Sequence, residues 1–237
     1  MTWIGNRFKF LFRSTKGLIL VAIAFAALIS AFFGLLSGPM ADYGIKDVVV
    51  KALNIDLQPA EREGRLIALY HTLAMVMIAV EVYMITDLLK MKENQRLSID
   101  STVTIGYLMV IFGGLPFAYW GHNWVLHGIY IAGLSIIFFA GCLLLVALWP
   151  WQKDLKLKDK EYAHTRKGFD LERVAFFMVA LVTLISAIFG AVPGSFFGNG
   201  FESFLAENVG REPHKIALDL SVIGHLHIML ALIAIMC

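Results

Sequence analysis

The chain has 237 residues, 59% of them hydrophobic and only 16% charged, with a mean hydropathy of +0.73 and a formal net charge of +2. A water-soluble domain of this length cannot bury that much apolar surface, because the area it leaves outside demands polar cover. The basic residues lie between apolar runs rather than in a block, which argues against nucleic acid as a partner.

A bilayer core of about 30 Å is crossed by about 20 apolar residues in helical form. In chain order, a basic arm over 1–16 precedes six runs of that kind: Gly17–Leu36, Leu66–Leu89, Val103–Trp120, Trp124–Trp149, Val174–Val192 and Ile216–Cys237. The first run is too long for a signal-peptide core and no small-residue cleavage site follows it, so it reads as a retained helix. Gly113-Gly114-Leu115-Pro116 predicts a break or kink near the end of the third. Trp120, Trp124, Trp149 and Trp151 flank the third and fourth as interfacial anchors. The expectation is an all-α, polytopic transmembrane bundle of about six helices.

Lys and Arg set its orientation. Fourteen fall on the side of the N-terminal arm, the loop after the second helix and the 151–173 loop; six, including Arg62, Arg65 and Lys215, fall on the other. The positive-inside rule then places the N-terminus in the cytoplasm, in a plasma (inner) membrane protein. The connections 40–65 and 195–215 become external, with amphipathic stretches at Ile45–Leu57 and Phe201–Val209.

The chain also repeats itself. Leu28-Ile29-Ser30-Ala31-Phe32-Phe33-Gly34-Leu35-Leu36-Ser37-Gly38 matches Leu184-Ile185-Ser186-Ala187-Ile188-Phe189-Gly190-Ala191-Val192-Pro193-Gly194 at seven of eleven positions. With a two-residue change of offset, His71-Thr72-Leu73-Ala74-Met75 then falls over His225-Leu226-His227-Ile228-Met229. This predicts an incomplete duplication: a four-helix unit over 17–150, a cytoplasmic loop over 151–173, and the first two helices of a second unit over 174–237. The last apolar run reaches Cys237 with no polar residues beyond it, which suggests a fragment or one piece of a larger assembly.

Six of the seven histidines, His71, His122, His127, His214, His225 and His227, map to the outer half of the membrane or its edge, and only His164 is cytoplasmic. Ionisable groups inside a membrane are functional candidates, and neutral imidazole ligates haem iron and copper. His71 and His225, equivalent in the repeat, are the candidate metal ligands. His227 points roughly 200° away from His225 around the helix and faces another site or a hydrogen-bond partner. His122 and His127, in the turn Gly121–Gly128, are candidates to lend a ligand or to hold a haem propionate. The bland alternative, in which these histidines bond to backbone carbonyls or cap helix ends, stays open. Met75 and Met229 follow the paired histidines by four and read first as packing residues. Glu81 lies roughly 15 Å deeper than His71 and is a candidate for a proton path, a quinone partner or an interhelical hydrogen bond. Its counterpart in the second copy is Ile235. Neither Cys142 nor Cys237 belongs to a C-x-x-C-H sequence, so any haem is b-type rather than covalently attached.

Histidines on the second helix of successive four-helix units resemble the catalytic subunit of the haem–copper oxidase and nitric-oxide reductase superfamily. That likeness implies twelve helices in three four-helix arcs. His71-Thr72-Leu73-Ala74-Met75 looks like the segment that supplies an axial histidine to the low-spin haem. Gly224-His225-Leu226-His227 looks like the sixth-helix segment that supplies the first histidine to the active-site copper. The family's seventh- and tenth-helix histidines have no counterpart in these residues, and Met229 stands where a tyrosine often follows the sixth-helix histidine. Cytochromes of the bc type fit less well, since His214 and His227 form the only pair at their spacing.

The leading expectation is a haem-binding electron-transfer subunit or fragment of a respiratory complex, an oxidoreductase component with haem near the outer face and copper as a second candidate. Its partners would be the lipid bilayer, other membrane subunits or further helices, and a redox partner at the outer face. The alternatives are an ion- or proton-coupled transporter or channel using Glu81, and a non-catalytic assembly subunit.

Overall fold

The computed structural model describes residues 3–13, 44–55, 62–89, 91–121, 123–151, 170–196 and 213–236, with isolated helical positions at 17, 20, 21, 24 and 28. Most of the expected Gly17–Leu36 helix, the first copy of the repeat beyond Leu28, the stretch Phe201–Val209, His164 and most of the 151–173 loop lie outside the described residues. Within the described residues there are seven helices and no strand: α1 (Trp3–Arg13), α2 (Ile45–Leu53), α3 (Arg62–Leu88), α4 (Glu93–Tyr119), α5 (Trp124–Ala147), α6 (Leu171–Phe196) and α7 (Pro213–Met236).

Four of them, α3 to α6, are long and apolar enough to cross a membrane. The chain is a multi-pass membrane protein. Each of these helices has 24 to 27 residues, which at 1.5 Å per residue gives about 36–40 Å, enough for the hydrocarbon and its margins. α7 has 24 residues and carries the apolar stretch Leu220–Leu232. Met84, Ile105, Phe112, Phe139, Val146 and Ile188 are exposed on the outside of the bundle, an arrangement that lipid favours and water does not. Trp120 and Trp124 stand at one end of the bundle and Trp149 and Trp151 at the other, all exposed, as two interfacial belts.

The helices close into a ring in which α3 packs on α4, α4 on α5, α5 on α6, α6 on α7, and α7 touches α3. The α4–α5 seam is the most extensive, because glycines let the two backbones meet. A Cβ on Gly133 would stand 2.8 Å from the Gly106 carbonyl oxygen and from the Val110 nitrogen; one on Gly113 would stand 2.7 Å from the Tyr130 nitrogen. Of the break or kink that the sequence predicts at Gly113–Pro116, α4 shows no break and runs through Pro116 to Tyr119, where the Trp120 N–H bonds back to the Pro116 carbonyl at 2.9 Å. The glycine pair serves to receive α5.

α4 also starts at Glu93, ten residues before the apolar run at Val103. Its polar first turns are anchored by Ile99 and Val103, one turn apart and fully buried, while Arg96 pairs with Glu93 at 3.0 Å and with Asp87 at 3.4 Å. α2 is shorter than the amphipathic stretch 45–57, because Asn54 turns left-handed at φ 50° and ends it. It docks on the bundle by burying Ile55 and by accepting a 3.1 Å bond from Trp120 Nε1 at the Leu53 carbonyl. Arg173, counted from sequence as a loop charge, lies inside α6, buried, and its Nη1 donates to the Ala147 carbonyl at 2.9 Å. That bond ties the start of α6 to the open carbonyl end of α5.

Candidate functional site

The α3–α7 contact that closes the ring brings two histidines together. The rings of His71 on α3 and His225 on α7 have centroids 6.5 Å apart and planes 49° apart. They are 154 residues apart in the chain.

Each ring is held through Nδ1. On His225, Nδ1 lies 2.8 Å from the Ser186 carbonyl oxygen of α6. A carbonyl only accepts, so Nδ1 carries the ring proton and the Nε2 lone pair is left for a metal. The ring sits over Gly190, where an added Cβ would come within 2.7 Å of Cε1 and Nδ1. On His71, Nδ1 lies 2.5 Å from the Tyr130 hydroxyl of α5, and the two ring centroids are 5.9 Å apart. When Nδ1 of His71 carries the proton it donates to the Tyr130 oxygen, and that Nε2 is likewise a lone pair. Tyr130 is fully buried where α4 and α5 meet at Gly113 and Gly114, so its ring has little freedom.

His71 and His225 would offer two imidazole nitrogens to a metal-centred group such as a haem. Among the described residues no group of three or more His, Cys, Asp or Glu is placed to hold a metal ion.

The other sequence candidates are distributed as follows. His127 stacks on Trp124 at 6.1 Å and 17°, and its ring centroid is 6.4 Å from that of Tyr130, so it borders the site from the N-terminal end of α5. His227 is exposed and donates from Nδ1 to the Ile223 carbonyl of its own helix at 2.8 Å; it is not brought to the pair. The side chains of His122 and His214 lie outside the described residues. Met75 is packed in the core, and Met229 is half-buried on α7. Glu81 has its Oε1 buried without a hydrogen-bond partner, on α3 ten residues from His71.

Sequence reasoning did not single out Tyr130, Ser186 or Gly190 as parts of the site. For Ser186 and Gly190 a signal existed: they are two of the identical positions of the repeat, matching Ser30 and Gly34. For Tyr130 the signal was weaker, a phenol one turn after His127. No protein family, curated protein or solved structure matches this chain in any of three comparisons.

Proposed function

We propose that this membrane protein holds a b-type haem between His71 and His225 and passes electrons through it, as a subunit or part of a respiratory oxidase- or reductase-like complex. The observation that carries this reading is the pair of imidazoles 6.5 Å apart, each anchored through Nδ1. A porphyrin supplies four nitrogens itself, so two imidazoles complete its iron, whereas a bare copper ion would need more ligands than this pair offers. When bound, the haem supplies a one-electron couple whose potential responds to the hydrogen bonds on its ligands. The chain's own part is to fix the two rings. Ser186 sets the tautomer of His225, Gly190 gives that ring room, and Tyr130 orients His71.

The same reading takes six spans with the N-terminus in the cytoplasm of a plasma (inner) membrane, from the asymmetry of Lys and Arg. The site then lies near the outer face, where a redox partner would dock, with His127 toward that surface. The incomplete duplication, 17–150 and 174–237, accounts for like-placed histidines on α3 and α7. It also supports kinship with the haem–copper oxidase and nitric-oxide reductase superfamily. A reduced-minus-oxidised absorption spectrum of the purified protein tests the proposal. A b-type signal lost in both His71→Ala and His225→Ala is the expected result; a spectrum without haem from a well-folded sample defeats it.

One observation favours a second reading, an ion- or proton-coupled transporter. Glu81 keeps a buried carboxylate oxygen without a partner in the apolar part of α3, as substrate paths in membranes do. Proton-coupled uptake abolished by Glu81→Gln in a haem-free preparation would select it.

A further inference from the structure

A second polar feature crosses the α3–α4 interface, at the end marked by the Leu89–Lys92 turn and away from the histidines. Thr86 Oγ1 donates to Asp100 Oδ1 at 2.8 Å. Thr104 Oγ1 donates to the Asp100 carbonyl at 2.5 Å. The Tyr83 hydroxyl is hydrogen-bonded to Thr104 Oγ1. One turn further along α4, Tyr107 is fully buried, and its hydroxyl has no hydrogen-bond partner.

Helix adhesion explains part of this file. Thr86 with Asp100 and Tyr83 with Thr104 are satisfied interhelical pairs that hold two apolar helices together. It does not explain Tyr107. Phenylalanine would fill the same space without leaving a hydroxyl unpaired in apolar surroundings, where such a group is costly unless water reaches it. Hydroxyls both donate and accept, but Thr104 gives its proton to the Asp100 backbone carbonyl, which only accepts, so a relay needs water at two places: between the Asp100 carboxylate and Thr104, and between Tyr83 and Tyr107. Beside the Leu89–Lys92 end of the row, Asp87 and Glu93 are exposed and can collect protons from solution.

We propose that the Asp100–Thr86–Thr104–Tyr83–Tyr107 file is a hydrated path that carries protons between the aqueous phase at the Leu89–Lys92 turn and Tyr107 in the membrane interior. Glu81 is not part of it, since it lies two residues from Tyr83 and so about 200° away around α3. The path leads toward the histidine site. Gly106 lies against Ile137 and Gly113 against Tyr130 across the α4–α5 seam, so Tyr107 is about six residues, or roughly 9 Å, along the helix axis from Tyr130.

The test uses the full chain with Cys142→Ala and Cys237→Ala, reconstituted in sealed vesicles. Thr104→Cys and Tyr107→Cys are exposed to a small cationic methanethiosulfonate from the face that bears Leu89–Lys92. Ile111→Cys, buried one turn beyond Tyr107, serves as the dry reference. Both variants should label at least tenfold faster than the reference. Equal rates, or labelling only from the opposite face, overturn the proposal. Because Tyr107→Cys itself opens space, infrared difference spectra of the protein with and without Tyr107→Phe are compared in heavy water. Loss of a weakly hydrogen-bonded O–D stretch from internal water supports the path, and an unchanged water region overturns it. None of these readouts involves the histidines, so the path and the haem reading can fail separately.

Discussion

The imidazole of His225 rests on Gly190 of the neighbouring helix, so closely that a single added methyl carbon would stand 2.7 Å from two of its ring atoms. The same ring donates from Nδ1 to the carbonyl of Ser186, one turn earlier on that helix. Contact and hydrogen bond together leave the ring one position and one tautomer, with the proton on Nδ1 and a lone pair on Nε2. The residues responsible recur as Ser30 and Gly34 in the first copy of the repeat.

Gly190→Ala should therefore displace His225 without unfolding the protein. Under the haem reading, affinity for haem is expected to fall about 10–100-fold, the range for losing a group that orients a metal ligand. Haem titration of the purified variant checks this, and unchanged affinity would mean that the ring does not depend on its seat.

Tyr130→Phe keeps the ring that packs at Gly113 and Gly114 but removes the hydroxyl bonded to His71. Under the haem reading, about tenfold weaker haem binding is expected, with a stability loss of about 1 kcal/mol whatever the ligand. A shifted midpoint potential in redox titration is the companion signature.

Two of the three glycines of α5 should respond in opposite ways. Gly133→Ala forces a carbon against the backbone of α4 at 2.8 Å and should cost about 1–3 kcal/mol. Gly128, on the same helix, has nothing within 4 Å of an added Cβ, so Gly128→Ala should be neutral or gain up to about 1 kcal/mol from helix propensity. Thermal unfolding in detergent separates the two.

Arg173→Met removes a buried charge-assisted bond to the Ala147 carbonyl while keeping much of the side-chain bulk. A loss of about 1.5–3 kcal/mol is expected. The first symptom should be loosening of α6 from α5, read as faster amide exchange around Ala147 and Leu148.

Glu81→Gln replaces a partly buried carboxyl by a neutral group of nearly the same shape. Under the haem reading it should leave the absorption spectrum and haem affinity unchanged within twofold. A lost ion flux in vesicles, with no haem present, would instead support the transporter reading.

Much of the fold was legible in apolar run length, because a helix exposed to lipid must satisfy its own backbone and so must be long and apolar by itself. That rule located α3, α5 and α6 to within a few residues. It misplaced the start of α4, whose first turns are polar and held only by Ile99 and Val103. It also allowed a break at Gly113–Pro116 that the helix does not make, since the partner that packs against these glycines, Tyr130, lies on another helix. At the site, the repeat pairs His71 with His225, and the fold sets their rings 6.5 Å apart. The same outer-half cluster included His227, which turns away and bonds to its own helix.

By itself, then, the sequence determined that the chain lies in a membrane, roughly where most of its long helices run, and which histidines merit attention. These follow from segment-by-segment transfer into lipid and from a local repeat, both of which act along the chain. The tertiary structure alone decided that α7 meets α3, that Tyr130, Ser186 and Gly190 hold the two rings, and that Arg173 is buried. Those depend on how closely two backbones approach and on which carbonyl a ring finds across the gap. Such contacts link residues as far apart in the chain as His71 and Tyr130 or Ser186 and His225, and no local pattern of apolar and polar residues encodes them.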